Sequence, residues 1–180
     1  MIWIGPEPPG VVPAREALLD RAFGTARLQK TAERLREGRR PAAGLSFAAL
    51  DNGEGRSSKL VGTLRFWNVR LGAGSNALLL GPVAVDDAQR GKGLGGRMIR
   101  RGLAAAKALG HRAVILVGDV PYYGRFGFDA EPARRLILPG PIDPRRFLAL
   151  ALVPGALARA EGHVRPTGLA VARLPRERVA

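Results

Sequence analysis

The sequence predicts an α/β (α+β) fold, one mixed central β-sheet flanked by helices. Three patterns predict it. Residues 45–51 break the helical period, residues 60–71 alternate along a long run, and both are bounded by turn residues. Residues 94–109 carry apolar side chains at helical spacing, with Arg97, Arg100, Arg101 and Lys107 on the other side. That helical segment lies between two continuously apolar runs, 78–85 and 113–117, so it connects a parallel strand pair by a right-handed crossover.

In chain order, Ile2–Ile4 reads as a short first strand, closed by the Pro and Gly cluster up to Pro13. A helix follows from Pro13, which suits a first turn, and Gly24 stops it. Thr25 to Glu37 fits a second helix, with Leu28, Ala32 and Leu35 on one face and Gly38 at its end. Leu45–Asp51 is a strand ending in Asp51-Asn52-Gly53 turn chemistry. In the long strand 60–71, Val61, Thr63, Arg65 and Trp67 are expected on one side and Leu60, Leu64 and Phe66 on the other. Residues 78–85 suit a strand buried on both faces, but Gly81-Pro82 removes a ladder donor at its centre, so a bulge or splay is expected there. Leu94, Met98, Leu103, Ala106 and Leu109 should line the core face of the next helix. Residues 122–128 read as a helical turn, with Phe128 starting another strand. The three prolines in 136–144 indicate a loop, Phe147–Val153 a last strand, and the rest a helical turn or two and a polar, basic tail.

At 180 residues the chain can bury roughly 70% of its unfolded surface, enough to fold without a metal or a disulfide. With no cysteine, disulfides, thiolate zinc sites and thiol catalysis are excluded. No apolar run is long enough for an ordinary membrane-spanning helix, and MIWIGPEPPG lacks the basic region of a secretory signal. The expected compartment is therefore the cytoplasm. The net charge is 29 − 15 = +14, and residues 91–180 carry +10 of it. A basic half of this kind suits a polyanionic partner: nucleic acid, acidic lipid or a phosphorylated cofactor.

Gln89-Arg90-Gly91-Lys92-Gly93-Leu94-Gly95-Gly96 joins a strand to a helix start. The first N–H groups of a helix have no intrahelical acceptor and sit at the positive end of its dipole, so this turn is an anion site. Gly91, Gly93 and Gly96 spell a dinucleotide-type GxGxxG, with Asp119 downstream, but five residues separate the strand from the first glycine and too few strand–helix repeats follow. A Walker A loop fails because Gly93 follows Gly91-Lys92 where Ser or Thr is needed.

The unit as a whole resembles the GNAT superfamily of N-acetyltransferases. Arg90-Gly91-Lys92-Gly93-Leu94-Gly95 matches its Gln/Arg-x-x-Gly-x-Gly/Ala motif, Gly81–Val85 its splayed fourth strand, and YYGRFGF at 122–128 its Tyr-x-x-x-Gly-Phe element. The combination is similar to the YhbS-like branch of predicted N-acetyltransferases. The resemblance is strong over 78–128 and consistent in element order to about residue 153. It implies a GNAT fold, the sheet splayed near its fourth and fifth strands, with 1–153 as a single acetyltransferase domain and 154–180 as its basic C-terminal extension.

The resemblance also implies an acetyl-CoA-dependent N-acetyltransferase that moves acetyl directly to a primary amine of a small molecule or peptide, with no metal. The cosubstrate is expected along Val83, Ala84 and Val85 and on Arg90, Gly91, Lys92, Gly93, Leu94, Gly95 and Gly96. Tyr123 matches the family's general-acid tyrosine, and a Val85 backbone N–H its carbonyl donor. An amine of pKa ~10.4 is neutral about once in 2,500 at pH 7, a cost of roughly 4.6 kcal/mol, so a base or a desolvating pocket must help; no general base is visible. Asp86 and Asp87 are read as capping or positioning the cofactor turn, Asp119 as capping the next turn, and Tyr122 and Arg125 as packing. His111 follows a helix C-terminus, where a cation is favoured. Two readings compete: a non-catalytic CoA-binding regulatory module, for which the missing base speaks, and a nucleic-acid-binding protein, which lacks a recognisable motif. FLALALV with the tail behind it could pair across a homodimer.

Overall fold

A computed structural model describes residues 1–53 and 58–171, so the end of the basic tail lies outside the described residues. The elements are β1 (Ile2–Pro6), α1 (Val12–Phe23), β2 (Ser46–Asp51), β3 (Lys59–Leu71), β4 (Ser75–Val85), α2 (Leu94–Ala108), β5 (Ala113–Val117), α3 (Val120–Tyr123), β6 (Leu136–Ile137), β7 (Phe147–Ala151) and β8 (Gly162–Pro166). The main sheet runs β1-β2-β3-β4-β5-β7. Only β4 and β5 pair in parallel within that path, as the strand–helix–strand pattern requires.

The splay falls where Gly81-Pro82 forecasts it. The β4–β5 ladder holds only at Leu78↔Val114 and Leu79↔Ile115, and the strands part beyond it. On the other side of β4, register with β3 shifts between Leu64↔Val83 and Phe66↔Leu80, so two residues of β4 oppose one of β3. The indole N–H of Trp67 donates to the Gly81 carbonyl at 2.6 Å, which satisfies a buried acceptor at the point of parting.

Each sheet face carries its own core. On one, α2 packs Leu94, Met98, Ile99 and Ala106 against Leu64, Phe66, Leu78 and Val114. Gly102 is needed beneath it: a Cβ there would come within 2.6 Å of the Phe66 ring. On the other, Leu18 and Leu19 of α1 cover Ala48, Leu60 and Ala84, and Leu35 joins Trp67, Val69 and Ile115 in a neighbouring cluster. Glu7, Arg15 and Arg65 tie α1 to the sheet. Arg15 Nη1 lies 2.7 Å from Glu7 Oε1, Arg65 Nε donates to Glu7 Oε2 at 3.0 Å, and Arg65 Nη2 also reaches Glu7 Oε1.

Several sequence expectations are corrected. Thr25–Glu37 is not one helix but two 3₁₀ turns, Thr25–Gln29 and Thr31–Leu35, broken at an extended Lys30. Tertiary bonds override the weak helical pattern there: Arg27 is drawn back to Glu16 and Asp20 of α1, and Thr31 Oγ1 donates to the Pro141 carbonyl. A register shift next to Val61, between Ala49↔Gly62 and Leu50↔Leu60, breaks the alternation of β3, so Val61 joins Leu64 and Phe66 while Leu60 faces α1. Leu109 is exposed, and Ile99 with Gly102 holds the core face instead. Phe128 starts no strand; Asp129 makes a single bridge to Ala149 before its carboxylate accepts from the Glu131 N–H and turns the chain. Leu136–Ile137 is a strand rather than loop, and β7 is not the last: β8, with His163, pairs with β3 and β6.

Candidate active site

The turn after β4 is built by its own chemistry. The Asp86 carboxylate accepts from the Ala88 N–H and lies 3.2 Å from Lys59 Nζ. That backbone bond, with Lys59 and Arg21 adding, holds its pKa below the ordinary carboxylate value despite some burial. Asp87 holds Arg90 at 2.9 Å. Gly93 caps α2 at φ +73°, a conformation an L side chain resists, and its carbonyl takes the Arg97 N–H. The N–H groups of Gly93, Leu94, Gly95 and Gly96 are thus the four without an intrahelical acceptor. At Gly95, a Cβ would come within 2.8 Å of the Tyr122 hydroxyl. Lys92 and Arg97 stand exposed beside the turn.

Two hollows meet at Tyr123. A smaller one, of about 210 Å³, is lined by Val83, Ala84, Val85, Arg90, Gly95, Tyr122 and Tyr123, with Ala22 and Phe23 of α1. A larger one, of about 580 Å³, opens on the other side between Gly81-Pro82-Val83 and Val117-Gly118-Asp119, and is closed by the 3₁₀ turns after α1 and by Pro141–Asp143. Tyr123 lines both. A further hollow of about 620 Å³ at Asn68, Arg70, His111 and Arg112 includes none of these residues.

Tyr123 is wedged against Gly118, where any Cβ would strike its ring, and packs edge-on to Phe128 and Tyr122. Burial, reinforced by Tyr122 and the Asp119 carboxylate and opposed by Arg146, pushes its phenol up to about 12. The phenol stays a hydrogen-bond donor across the physiological range. Arg125 stacks on the Tyr122 ring at 4.6 Å, in line with a packing role. Two expectations change. The Asp119 side chain makes no cap and pairs with Arg146 at 3.1 Å. Burial lowers the His111 pKa, so the imidazole is not held as a cation.

Sequence reasoning brought Val83–Val85, Arg90, Gly95 and Tyr123 to one place, and the structure sets them around the smaller hollow. Of the other residues expected to hold the cosubstrate, Gly91, Lys92, Gly93 and Gly96 do not line that hollow, and the Leu94 side chain is buried in the core. Missed were Tyr122 as a lining residue and the charged wall of the larger hollow, Arg27, Glu33, Arg36 and Arg146. No spacing signal marks these, because they come from segments more than a hundred residues apart.

A parallel strand pair splayed beside a glycine-rich helix N-terminus, with a partly buried phenol at the fork, defines a site for an anionic ligand. Comparison with known proteins narrows the class. The acetyltransferase (GNAT) family matches residues 13–128. The uncharacterized N-acetyltransferase YhbS of Escherichia coli K12 is 33% identical over 118 residues, 65% of this chain and 67% of that protein. The crystal structure of Escherichia coli YhbS in complex with CoA superposes with a TM-score of 0.76 at 29% identity, over 92% of this chain and 89% of the other. A GNAT family acetyltransferase from Brucella melitensis, in complex with acetyl-CoA, gives 0.64 at 26% identity over 97% of each chain. The chain belongs to the acetyltransferase (GNAT) family. Among the described residues no helix is long and apolar enough to cross a membrane.

Proposed function

We propose that the protein is an acetyl-CoA-dependent N-acetyltransferase acting on a primary amine of a small molecule or peptide. The observation that carries this reading is the fork: the splayed β4–β5 pair leads into four free N–H groups at Gly93–Gly96, with Tyr123 between the two hollows. The residues fit the cosubstrate. Open space lies beyond Gly91 and Gly93, where a Cβ would meet nothing within 4 Å. The pyrophosphate would be held by those N–H groups with Arg90 and Lys92, and the pantetheine arm along Val83–Val85.

Acetyl-CoA supplies an acetyl thioester; the transfer forms one N–C bond, breaks one C–S bond and moves one proton from the amine to the departing sulfur. Tyr123 would donate its hydroxyl to the departing sulfur. Val85 offers a backbone N–H for the carbonyl oxygen. Phe23, Leu80 and Val117 give the larger hollow an apolar stretch, which would favour the neutral amine. We keep the cytoplasm as its location, and 154–180 as an extension of the one domain. A homodimer through the outer edge of β7 stays a proposal; on that edge Asp129 already bonds both backbone groups of Ala149.

The test is thiol release from acetyl-CoA against a panel of amines. Amine-dependent release supports the reading; acetyl-CoA binding without release for any amine would favour the regulatory module. Replacing Arg90 and Lys92 with Ala should weaken acetyl-CoA binding more than replacing Arg100 and Arg101. Arg100 already stacks on Phe126 at 5.3 Å, farther along α2. Equal losses from the two pairs, with a steep salt dependence, would favour a diffuse nucleic-acid surface instead.

A further inference from the structure

The larger hollow carries a cation whose charge is only half used. The Arg36 side chain is 11% exposed and lines the hollow. Its Nε donates to the Ala32 carbonyl at 3.2 Å and lies 3.5 Å from Glu33 Oε2. Its two terminal nitrogens have no acceptor among the described residues. No fully buried side-chain nitrogen or oxygen there lacks a partner, so those two nitrogens are not sealed in, on a residue that lines the hollow. Burial pulls this guanidinium below its ordinary range, with Glu33 opposing the shift and Arg27 adding to it.

Most of the other charges on the wall are spent. Arg27 is held by Glu16 and Asp20, Arg146 by Asp119, and Asp143 by Arg145. Lys30 has no carboxylate in ion-pair reach among the described residues and lies 5.2 Å from the centre of the Phe23 ring. All three carboxylates of the lining, Glu33, Asp119 and Asp143, are paired, while Arg36 and Lys30 keep charge to spare. A wall of that kind repels a plain alkylammonium ion. It attracts an anion, and it lowers the pKa of an amine held near it, which makes the amine the nucleophile that acetyl transfer needs.

We propose that the acceptor is an amine that also bears a carboxylate, an amino acid in chemical class, and that Arg36 receives that carboxylate through its two free terminal nitrogens. The planar fork of a guanidinium matches a carboxylate by paired hydrogen bonds. This deepens the acetyltransferase reading and rests on it.

The experiment compares matched acceptors with the full chain and saturating acetyl-CoA. Free α-amino acids with small, aromatic and basic side chains are set against their carboxamides, and aminoalkylphosphonates against both. The amide's amine loses its proton more readily, so intrinsic reactivity runs against the expected order. kcat/KM should be at least about tenfold higher for the acids. Arg36→Gln should erase that preference through KM, with kcat and acetyl-CoA affinity within a few-fold, and Arg36→Lys should restore part of it. A phosphonate better than every carboxylate would overturn the carboxylate assignment. Equal rates for acid and amide, or a preference that survives in Arg36→Gln, would overturn the role of Arg36. So would acetyl-CoA binding, read by calorimetry, with no acid turned over or bound. Loss of acetyl-CoA binding to the wild-type chain would overturn the acetyltransferase reading itself, and this inference with it.

Discussion

Tyr123→Phe lowers the rate of acetyl transfer by about 10²–10⁴-fold, while acetyl-CoA affinity stays within a few-fold. The substitution keeps the ring that packs on Gly118 and Phe128 and removes only the hydroxyl at the junction of the two hollows. A donor to the departing sulfur matters most in the transition state, so the loss falls on kcat rather than on binding. Its pKa of about 12 fixes the pH behaviour. A raised phenol pKa keeps the donor form present through neutral and mildly alkaline pH, so no fall in rate below about pH 11 reports its ionisation. Tyr122→Phe is the comparison: its hydroxyl faces Gly95, so any effect should fall on acetyl-CoA affinity. Wild-type rates in Tyr123→Phe would make this residue packing only, with water protonating the thiolate.

Glu7→Ala costs about 3–5 kcal/mol of stability, because it strips one largely buried carboxylate from two largely buried guanidiniums. Glu7 is 10% exposed and Arg15 and Arg65 are 7% and 15%. Glu16 still holds Arg15, but Arg65 has no second carboxylate in ion-pair reach among the described residues. At roughly 2–4 °C per kcal/mol for a chain of this size, the midpoint of thermal unfolding should fall by about 6–20 °C. A change below about 1 kcal/mol would show that water replaces the lost partner. Acid should loosen the same corner. Burial pushes the Glu16 carboxyl up, yet bonds from Arg27 and Arg15 outweigh it and hold the pKa below its ordinary 4.5. That contribution is present above pH 4.5 and is lost as pH falls through the lower folded-state value.

What was readable in the sequence follows from where the information lies. The strand–turn–helix of 78–108 is specified locally: a continuous apolar run, glycines where φ is positive and an amphipathic helix, so its bounds and its anion-binding N-terminus follow from residues near each other. Tyr123 is singled out by the family resemblance, through the Tyr-x-x-x-Gly-Phe element at 123–128. β8 was not found, because Gly162–Pro166 buries little beyond Val164 and becomes a strand only by pairing with Val69–Leu71. The break at Lys30 was hidden for the same reason, since Arg27 and Thr31 answer to residues in α1 and at Pro141 rather than to their own periodicity. Nothing in the sequence sets Arg36 apart within Thr25–Glu37. Only the 3₁₀ turns bring it onto the wall of the larger hollow.

The central claim, that the N-terminus of α2 seats the anionic part of acetyl-CoA, is tested most directly by calorimetric titration of acetyl-CoA into wild type and Gly96→Asp. Gly96 is the third residue of α2, and a Cβ there makes only ordinary contacts, 3.5 Å to Arg100 and 3.6 Å to Phe126. An aspartate in a first helical turn favours the helix, so the fold should hold or gain in stability. The same carboxylate places a negative charge among the N–H groups that would hold the pyrophosphate. The expected result is an unfolding midpoint at or above wild type together with acetyl-CoA affinity weakened at least about tenfold, or about 1.4 kcal/mol. Undiminished affinity in a folded Gly96→Asp protein would place the cosubstrate elsewhere and contradict the account.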